Sequence, residues 1–250
     1  MTSSYNLSFI SDQDLYNHVK ETVKKYRFSI DLKKFNKNLI DPIKLTFDSK
    51  VYGKRVEDII ESEIIRQIDK SNTNYIGYFH QNIFRYFDGD WIVPESGFDL
   101  INKKSKIFVE MKNKHNTMNS SSAQKTYIAM QSKILESSDV VCMLVEVIAR
   151  RSQNIPWKIT INSKQFNHEN IRRVSIDKFY ALVTGEKNAF KQLCEVLPKV
   201  LDDVISDQAS ESIKNSVFKE LKEISPESLL KSIYLLSFSK YDGFENLQID

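Results

Sequence analysis

Pro94-Glu-Ser-Gly-Phe-Asp99 and, one turn later, Ile107-Phe-Val-Glu-Met-Lys112 decide how this chain reads. Lys103-Lys-Ser105 separates them as a turn, so residues 98–102 and 106–112 are expected as two strands of a hairpin. Side chains alternate faces along a strand. Glu110 and Lys112 therefore point the same way, about 6.6 Å apart, while Met111 points into a core on the other face. Asp99, on the neighbouring strand, can approach Glu110 across the hairpin. Two converging carboxylates make a hard-oxygen site suited to Mg²⁺. An ammonium beside them can position or help deprotonate an attacking water. Glu-x-Lys on a strand is also what an ordinary solvated face looks like, so the flanking sequence has to separate the two readings.

Upstream, residues 55–70 predict an amphipathic helix. Val56, Ile59, Ile60, Ile64 and Ile68 recur at helical spacing on one face. Glu63 falls within that face, where a carboxylate needs either a basic partner or a metal. A second helix is expected over 75–87, and Asp88-Gly-Asp90 turns the chain into a strand at 91–93. Further back, 11–26 reads as helix, and 31–46 is ambiguous with Pro42 as a breaker. Downstream, 123–137 is expected to be a helix whose Ala123, Tyr127, Met130 and Ile134 share a face. Residues 139–148 are nearly all apolar, as in a buried central strand. Glu146 is the exception, either a member of a buried ion pair or a group orienting Lys112. Residues 157–161 and 171–176 are expected to pair as a hairpin, and 177–183 and 186–205 to be helices around Gly185, with Pro198 kinking or splitting the second. Ser225-Pro-Glu227 is expected to start a last helix running to about 238, with 206–210 as the link before it. This order predicts an α/β (α+β) fold, a mixed central sheet flanked by helices with extra helices at both ends. The expected division is a helical extension over 1–50, the sheet-bearing core over 51–205 and a helical tail over 206–250.

Composition excludes several classes. The chain has 250 residues, enough to bury a sizeable core, with 41% hydrophobic and 28% charged residues. With 36 Lys and Arg against 33 Asp and Glu the net charge is only +3, a weak pointer to an anionic partner. Two cysteines, Cys142 and Cys194, support neither a disulfide framework nor a four-ligand zinc site. Cys142, inside the apolar strand, reads as a small buried hydrophobe. The start of the chain lacks the pattern of a signal peptide, and no apolar run is long enough to span a bilayer. A cytoplasmic setting fits.

The run after the hairpin tips the balance toward chemistry. Asn113, Lys114, His115, Asn116, Thr117, Asn119, Ser120 and Ser121 pack base-reading and phosphate-binding side chains directly beyond Lys112. Gln124 follows at the start of the expected helix. Arg172 and Arg173, with Arg150 and Arg151, are further candidates for phosphate contact. Tyr127 reads as core, and His18, His80 and His168 as structural.

Glu110-Met-Lys-Asn-Lys-His-Asn-Thr-Met-Asn-Ser-Ser-Ser122, with Gly97-Phe-Asp99 before it, resembles the type II restriction endonucleases that cut at GGNCC or GGWCC sites. Val145-Glu-Val147, Ile171-Arg-Arg-Val-Ser-Ile-Asp177 and Phe179-Tyr-Ala-Leu-Val-Thr-Gly185 look like the same group, so the similarity runs from about 50 to about 205. The resemblance implies a PD-(D/E)XK endonuclease core, Mg²⁺ as cofactor and double-stranded DNA as substrate. It further implies a homodimer on a near-palindromic site, paired in a prokaryotic cytoplasm with a cognate DNA methyltransferase. By carry-over Asp99 and Glu110 are metal ligands, joined by the Met111 backbone carbonyl and, as a weaker choice, Glu63; Lys112 is the water-orienting base. The broader fold often places Pro directly before its first Asp, whereas Phe98 stands there in this chain, which makes Glu95 a rival ligand. Two competing readings are a structure-selective repair or recombination nuclease of this fold and a non-catalytic DNA-binding protein.

Overall fold

The computed structural model describes residues 4–207, 214–239, 247 and 249. In chain order its elements are α1 (Asp12–Lys25), β1 (Ser29–Ile30), α2 (Leu32–Asn36), α3 (Pro42–Tyr52), α4 (Val56–Asn82), β2 (Trp91–Ile92), β3 (Leu100–Asn102), β4 (Ile107–Lys114), α5 (Ser120–Glu136), β5 (Val141–Ile148), β6 (Asn154–Pro156), β7 (Ile159–Ile161), β8 (Lys164–Phe166), β9 (Ile171–Ser175), α6 (Ile176–Thr184), α7 (Ala189–Ser206), β10 (Lys214–Asn215), α8 (Val217–Ile224) and α9 (Leu229–Phe238). Among the described residues no helix is long and apolar enough to cross a membrane.

The expected mixed sheet flanked by helices is present. Its strand order is β2-β3-β4-β5-β9-β6. The β2-β3-β4 meander is antiparallel, β4, β5 and β9 run parallel, and β6 returns antiparallel to β9. One face carries the larger core, with Val109, Met111, Val145 and Val174 packed among Leu15, Phe84, Phe179, Tyr180 and Leu193. The other face carries Cys142, Leu144 and Ile171 under Tyr127 and Met130 of α5, with Trp157 beside them. Cys142 is buried, and burial pushes its thiol up to about 12.

The residues fall into two compact units, Met1–Lys24 with Ile76–Ala209 and Lys25–Tyr75 with Ser210–Asp250. This division differs from the one expected at 50 and 205. Residues such as Leu15 and Val19 of α1 are buried in the sheet's core, and residues 25–75 share a second core with α8 and α9, built on Phe35, Ile60, Ile64, Leu221 and Ile233. Of the expected link, residues 208–210 lie outside the described residues.

Local chemistry explains where elements differ from expectation. Pro42 does not break structure. It opens α3, with Asp41 Oδ1 accepting from the Ile43 and Lys44 backbone N–H groups, and proline at the first helical position costs nothing because its missing N–H would be unpaired there. The helices expected at 55–70 and 75–87 are one helix of 27 residues followed by a single 3-10 turn, Ile83–Tyr86. The polar Ser71-Asn-Thr-Asn74 run interrupts the apolar stripe without supplying a stop. The hairpin expected between 157–161 and 171–176 does not form. β7 pairs with β8 across Asn162-Ser163, both at positive φ (49° and 62°), the backbone of a primed two-residue turn, and β9 instead enters the central sheet. Pro198 does not split α7. The last helix starts at Leu229, not at Pro226, because Ser228 caps it by accepting from Lys231 N.

Candidate active site

The hairpin places the predicted residues as the alternation requires. Leu100 pairs with Val109 and Ile101 with Phe108, which brings Asp99 beside the strand at Glu110. The Met111 backbone N–H donates to Asp99 Oδ2 at 2.7 Å, and Lys112 Nζ donates to Glu110 Oε1 at 2.6 Å. Met111 is buried on the opposite face. β4 lies parallel to β5, with Glu110 opposite Leu144 and Lys112 opposite Glu146. Glu110, Lys112, Leu144 and Glu146 thus share the face that α5 covers.

Burial dominates the electrostatics of the two carboxyl groups. Burial raises the Asp99 carboxyl above the ordinary carboxylate range, against the pull of the Met111 hydrogen bond and the Lys112 charge. Burial also raises Glu110, and the Asp99 charge adds to that, while Lys112 opposes it. Two carboxylates taken partly out of water and facing each other both gain from a shared cation. Each has one oxygen engaged, which leaves Asp99 Oδ1 and Glu110 Oε2 as donors. Mg²⁺ characteristically binds through one or two carboxylates and keeps several waters, so the donor set fits. Among the described residues no group of three or more His, Cys, Asp or Glu is arranged to hold a metal.

Glu63 belongs to the other unit, and both its oxygens accept from Arg66 at 2.6 Å, with Gln67 adding a bond at 3.0 Å. Burial raises its carboxyl, but those hydrogen bonds bring it below the usual range. The basic-partner alternative therefore describes it. Glu95 is exposed.

The polar run wraps the end of β4 and the start of α5. Lys114, Asn116, Thr117, Asn119, Ser120 and Ser121 are exposed, and Asn113, His115 and Gln124 half-buried. The helix starts at Ser120, not 123, because Asn119 caps it, accepting from Ser122 N at 2.8 Å. Thr117 Oγ1 donates to the Lys114 carbonyl at 3.0 Å. The Asn113 amide lies against Gly77 of α4, where an added Cβ would sit 3.4 Å from it. Arg172 is occupied by Asn154 and by the Glu169 carbonyl, whereas Arg173 turns to Glu146. A cleft of about 110 Å³ opens beside Lys112, lined also by Lys114, Asn116, Glu146, Trp157 and Arg173. Trp157, which the sequence does not mark as a site residue, packs edge-on to Tyr127 of α5 beside this cleft. His18 is structural, its Nε2 held at 2.9 Å by the Phe79 carbonyl.

A profile of the Eco47II restriction endonuclease family matches residues 7–206. The chain is 33% identical over 234 residues to the type II restriction enzyme Sau96I of Staphylococcus aureus, covering 88% of this chain and 89% of that protein. It is 28% identical over 214 residues to the type II restriction enzyme Eco47II of Escherichia coli, covering 81% and 89%.

Proposed function

The chain belongs to the Eco47II restriction endonuclease family and is a type II restriction endonuclease, a site-specific deoxyribonuclease, and from that premise we propose that Asp99, Glu110 and Lys112 cut both DNA strands at a GGNCC-like palindrome with Mg²⁺. The observation that carries this reading is the single hairpin that gathers two half-buried carboxylates and one ammonium on one sheet face.

Asp99 Oδ1, Glu110 Oε2 and the Met111 carbonyl would hold the ion. When bound, it lowers the pKa of a coordinated water and offsets charge on the phosphate. Lys112 is paired with Glu110 at 2.6 Å; once Glu110 is engaged elsewhere, its Nζ is free to orient the attacking water and neutralise a phosphate oxygen. The water oxygen bonds to phosphorus as the water gives up a proton to solvent, the bond to O3′ breaks, and O3′ takes a proton from solvent, leaving 5′-phosphate and 3′-hydroxyl ends. Residues 113–121 and Gln124, on the same end of β4, are the DNA-reading surface. A palindrome asks for two-fold symmetry, hence a homodimer. Activity of this kind inside a prokaryotic cytoplasm requires a cognate methyltransferase to protect the host's own sites.

Plasmid digestion with Mg²⁺, with EDTA and with Lys112→Ala tests the reading. Discrete fragments that need the metal and vanish in the variant are expected, and end sequencing then gives the site. A smear, or cutting at junctions alone, would favour a structure-selective nuclease.

A further inference from the structure

A second polar cluster lies on the same sheet face, and the cleavage chemistry leaves it unused. Glu146, only 1% exposed, stands opposite Lys112 in the parallel β4–β5 register. Both its oxygens lie 3.0 Å from His115 Nδ1. Arg173, reaching across from β9, donates through Nη2 to Glu146 Oε1 and to Asn116 Oδ1, the latter at 3.3 Å. Nη2 also sits 2.8 Å from His115 Nδ1. His115 Nδ1 is thus the ring atom that meets both the Glu146 carboxylate and the Arg173 guanidinium.

We infer that Glu146 and Arg173 form an ionic latch that holds His115 and Asn116, and with them residues 114–119, at a set position beside Lys112. This deepens the proposed function and rests on its reading of residues 113–121 as the DNA-contacting run. His115 and Asn116 are where the chain leaves the sheet. The His115 N–H makes one more ladder bond, to the Ile148 carbonyl at 2.9 Å. Asn116 then turns with φ 55°, the left-handed region that asparagine visits more readily than most residues. Arg173 holds the Asn116 side chain at this turn, and Glu146 holds His115. Lys112 is only three residues before His115, so a shift in the latch is felt both where bases are read and where the phosphate is cut. Glu146 and Arg173 are positioning residues in this scheme, since neither touches a reacting atom.

Stability alone is a poor reason for the cluster. Leu144, Trp157, Ile159, Ala123 and Met118 surround it in the cleft, so an apolar pair would pack there, and such replacements of buried ion pairs are often neutral or stabilising. The cluster also leaves the Arg173 Nε–H buried without a partner among the described residues, a cost that an apolar pair would avoid. What an apolar pair could not do is fix the polar side chains of His115 and Asn116.

The double variant Glu146→Met/Arg173→Leu removes the latch without leaving a buried charge. It is compared with Glu146→Gln, Lys112→Ala and the wild type. Cleavage is measured on a duplex carrying a GGNCC site and on the same duplex with one outer base pair changed, and amide exchange is followed at residues 114–118. We expect a melting temperature close to the wild type's. The kcat/KM on the intended site should drop about 10–100-fold, the preference over the altered duplex at least tenfold, and amides 114–118 should exchange faster. Glu146→Gln, which keeps a carbonyl for Arg173, should lie between. A merely structural pair would lower the amount of active enzyme for both duplexes alike and leave their ratio unchanged. A folded double variant with wild-type preference and protection therefore overturns the latch. Should the double variant fail to fold, a folded Glu146→Gln with wild-type preference does the same. Lys112→Ala that still cleaves would sink the catalytic reading alone, and the exchange data would still judge the latch.

Discussion

Replacing His80 by leucine should flatten the acid limb of this protein's stability. His80 lies near the end of α4, and its Nδ1 is buried without a hydrogen-bond partner among the described residues. Burial, with a smaller contribution from the His18 charge, lowers its pKa from 6.5 to about 4. Between those values the unfolded chain binds a proton that the folded one refuses, so stability rises with pH through this window and is lost as pH falls from 6.5 toward 4. Over that whole interval the loss amounts to about 3 kcal/mol, of which about 2 kcal/mol is already gone at pH 5. At pH 7.5 the group contributes almost nothing of this kind. Urea unfolding of wild type and His80→Leu at pH 7.5 and pH 5, read as the difference between the two proteins, isolates the effect from every other titrating group. The difference should move by about 2 kcal/mol in favour of the variant on going to pH 5. Parallel pH profiles, or a ring titration near 6.5 by NMR in the folded protein, would refute the claim that this histidine is held neutral by burial.

Four further outcomes follow from the geometry. Asp99→Asn keeps the hydrogen bond from Met111 N but halves the charge available to a cation; cleavage should fall by about 10²-fold or more, the equivalent of several kcal/mol, and titration calorimetry should show weaker Mg²⁺ binding. Gly77→Ala puts its methyl 3.4 Å from the Asn113 amide, an ordinary contact, so relief of the helix-glycine penalty should raise stability by about 0.5–1 kcal/mol, measured by urea unfolding. Asn119→Ala removes the acceptor for Ser122 N and should cost about 1 kcal/mol while lowering DNA affinity in a metal-free binding assay. Ser163→Gly relieves φ 62° in the β7–β8 turn and should raise the melting temperature slightly, by about 1 kcal/mol of stability.

Much of the fold was legible because its signals are local. The hairpin around Lys103-Lys-Ser105, the apolar β5 and the amphipathic start of α4 each follow from periodicity over a few residues. What failed were pairings decided elsewhere in the chain. Residues 171–175 look like one arm of a hairpin from their neighbours alone, yet they are buried between β5 and β6, since a strand with Ile171, Val174 and Ser175 all buried gains more in the sheet's centre than at an edge. The true hairpin carried a readable mark in Asn162-Ser163, a turn pair between two short alternating runs. The division into units was not legible either. Nothing in the sequence of α1 says that Leu15 and Val19 join a core completed by residues 180 positions away.

The candidate triad of Asp99, Glu110 and Lys112 was legible for a reason that also limits what could be read around it. Alternation along β4 settles the side on which Glu110 and Lys112 lie, whatever surrounds them, and Asp99 follows from the same hairpin register. The groups that tune this strand come from other strands, and their identity waits on sheet order. Glu146 could be seen to be buried and charged, but its partner could not be chosen until β9 was known to lie beside β5, with Leu144 opposite Arg173 and Glu146 opposite Ser175. Hydrogen bonds from Arg173 and His115 then overcome the burial that would otherwise raise the Glu146 carboxyl, and they hold it below the ordinary range. Because that pair consumes the Glu146 charge, Glu146 is not free to pair with Lys112, which goes to Glu110 instead. Of the two alternatives the sequence leaves for Glu146, the buried ion pair is the one the geometry shows, with Arg173 and not Lys112 as its partner.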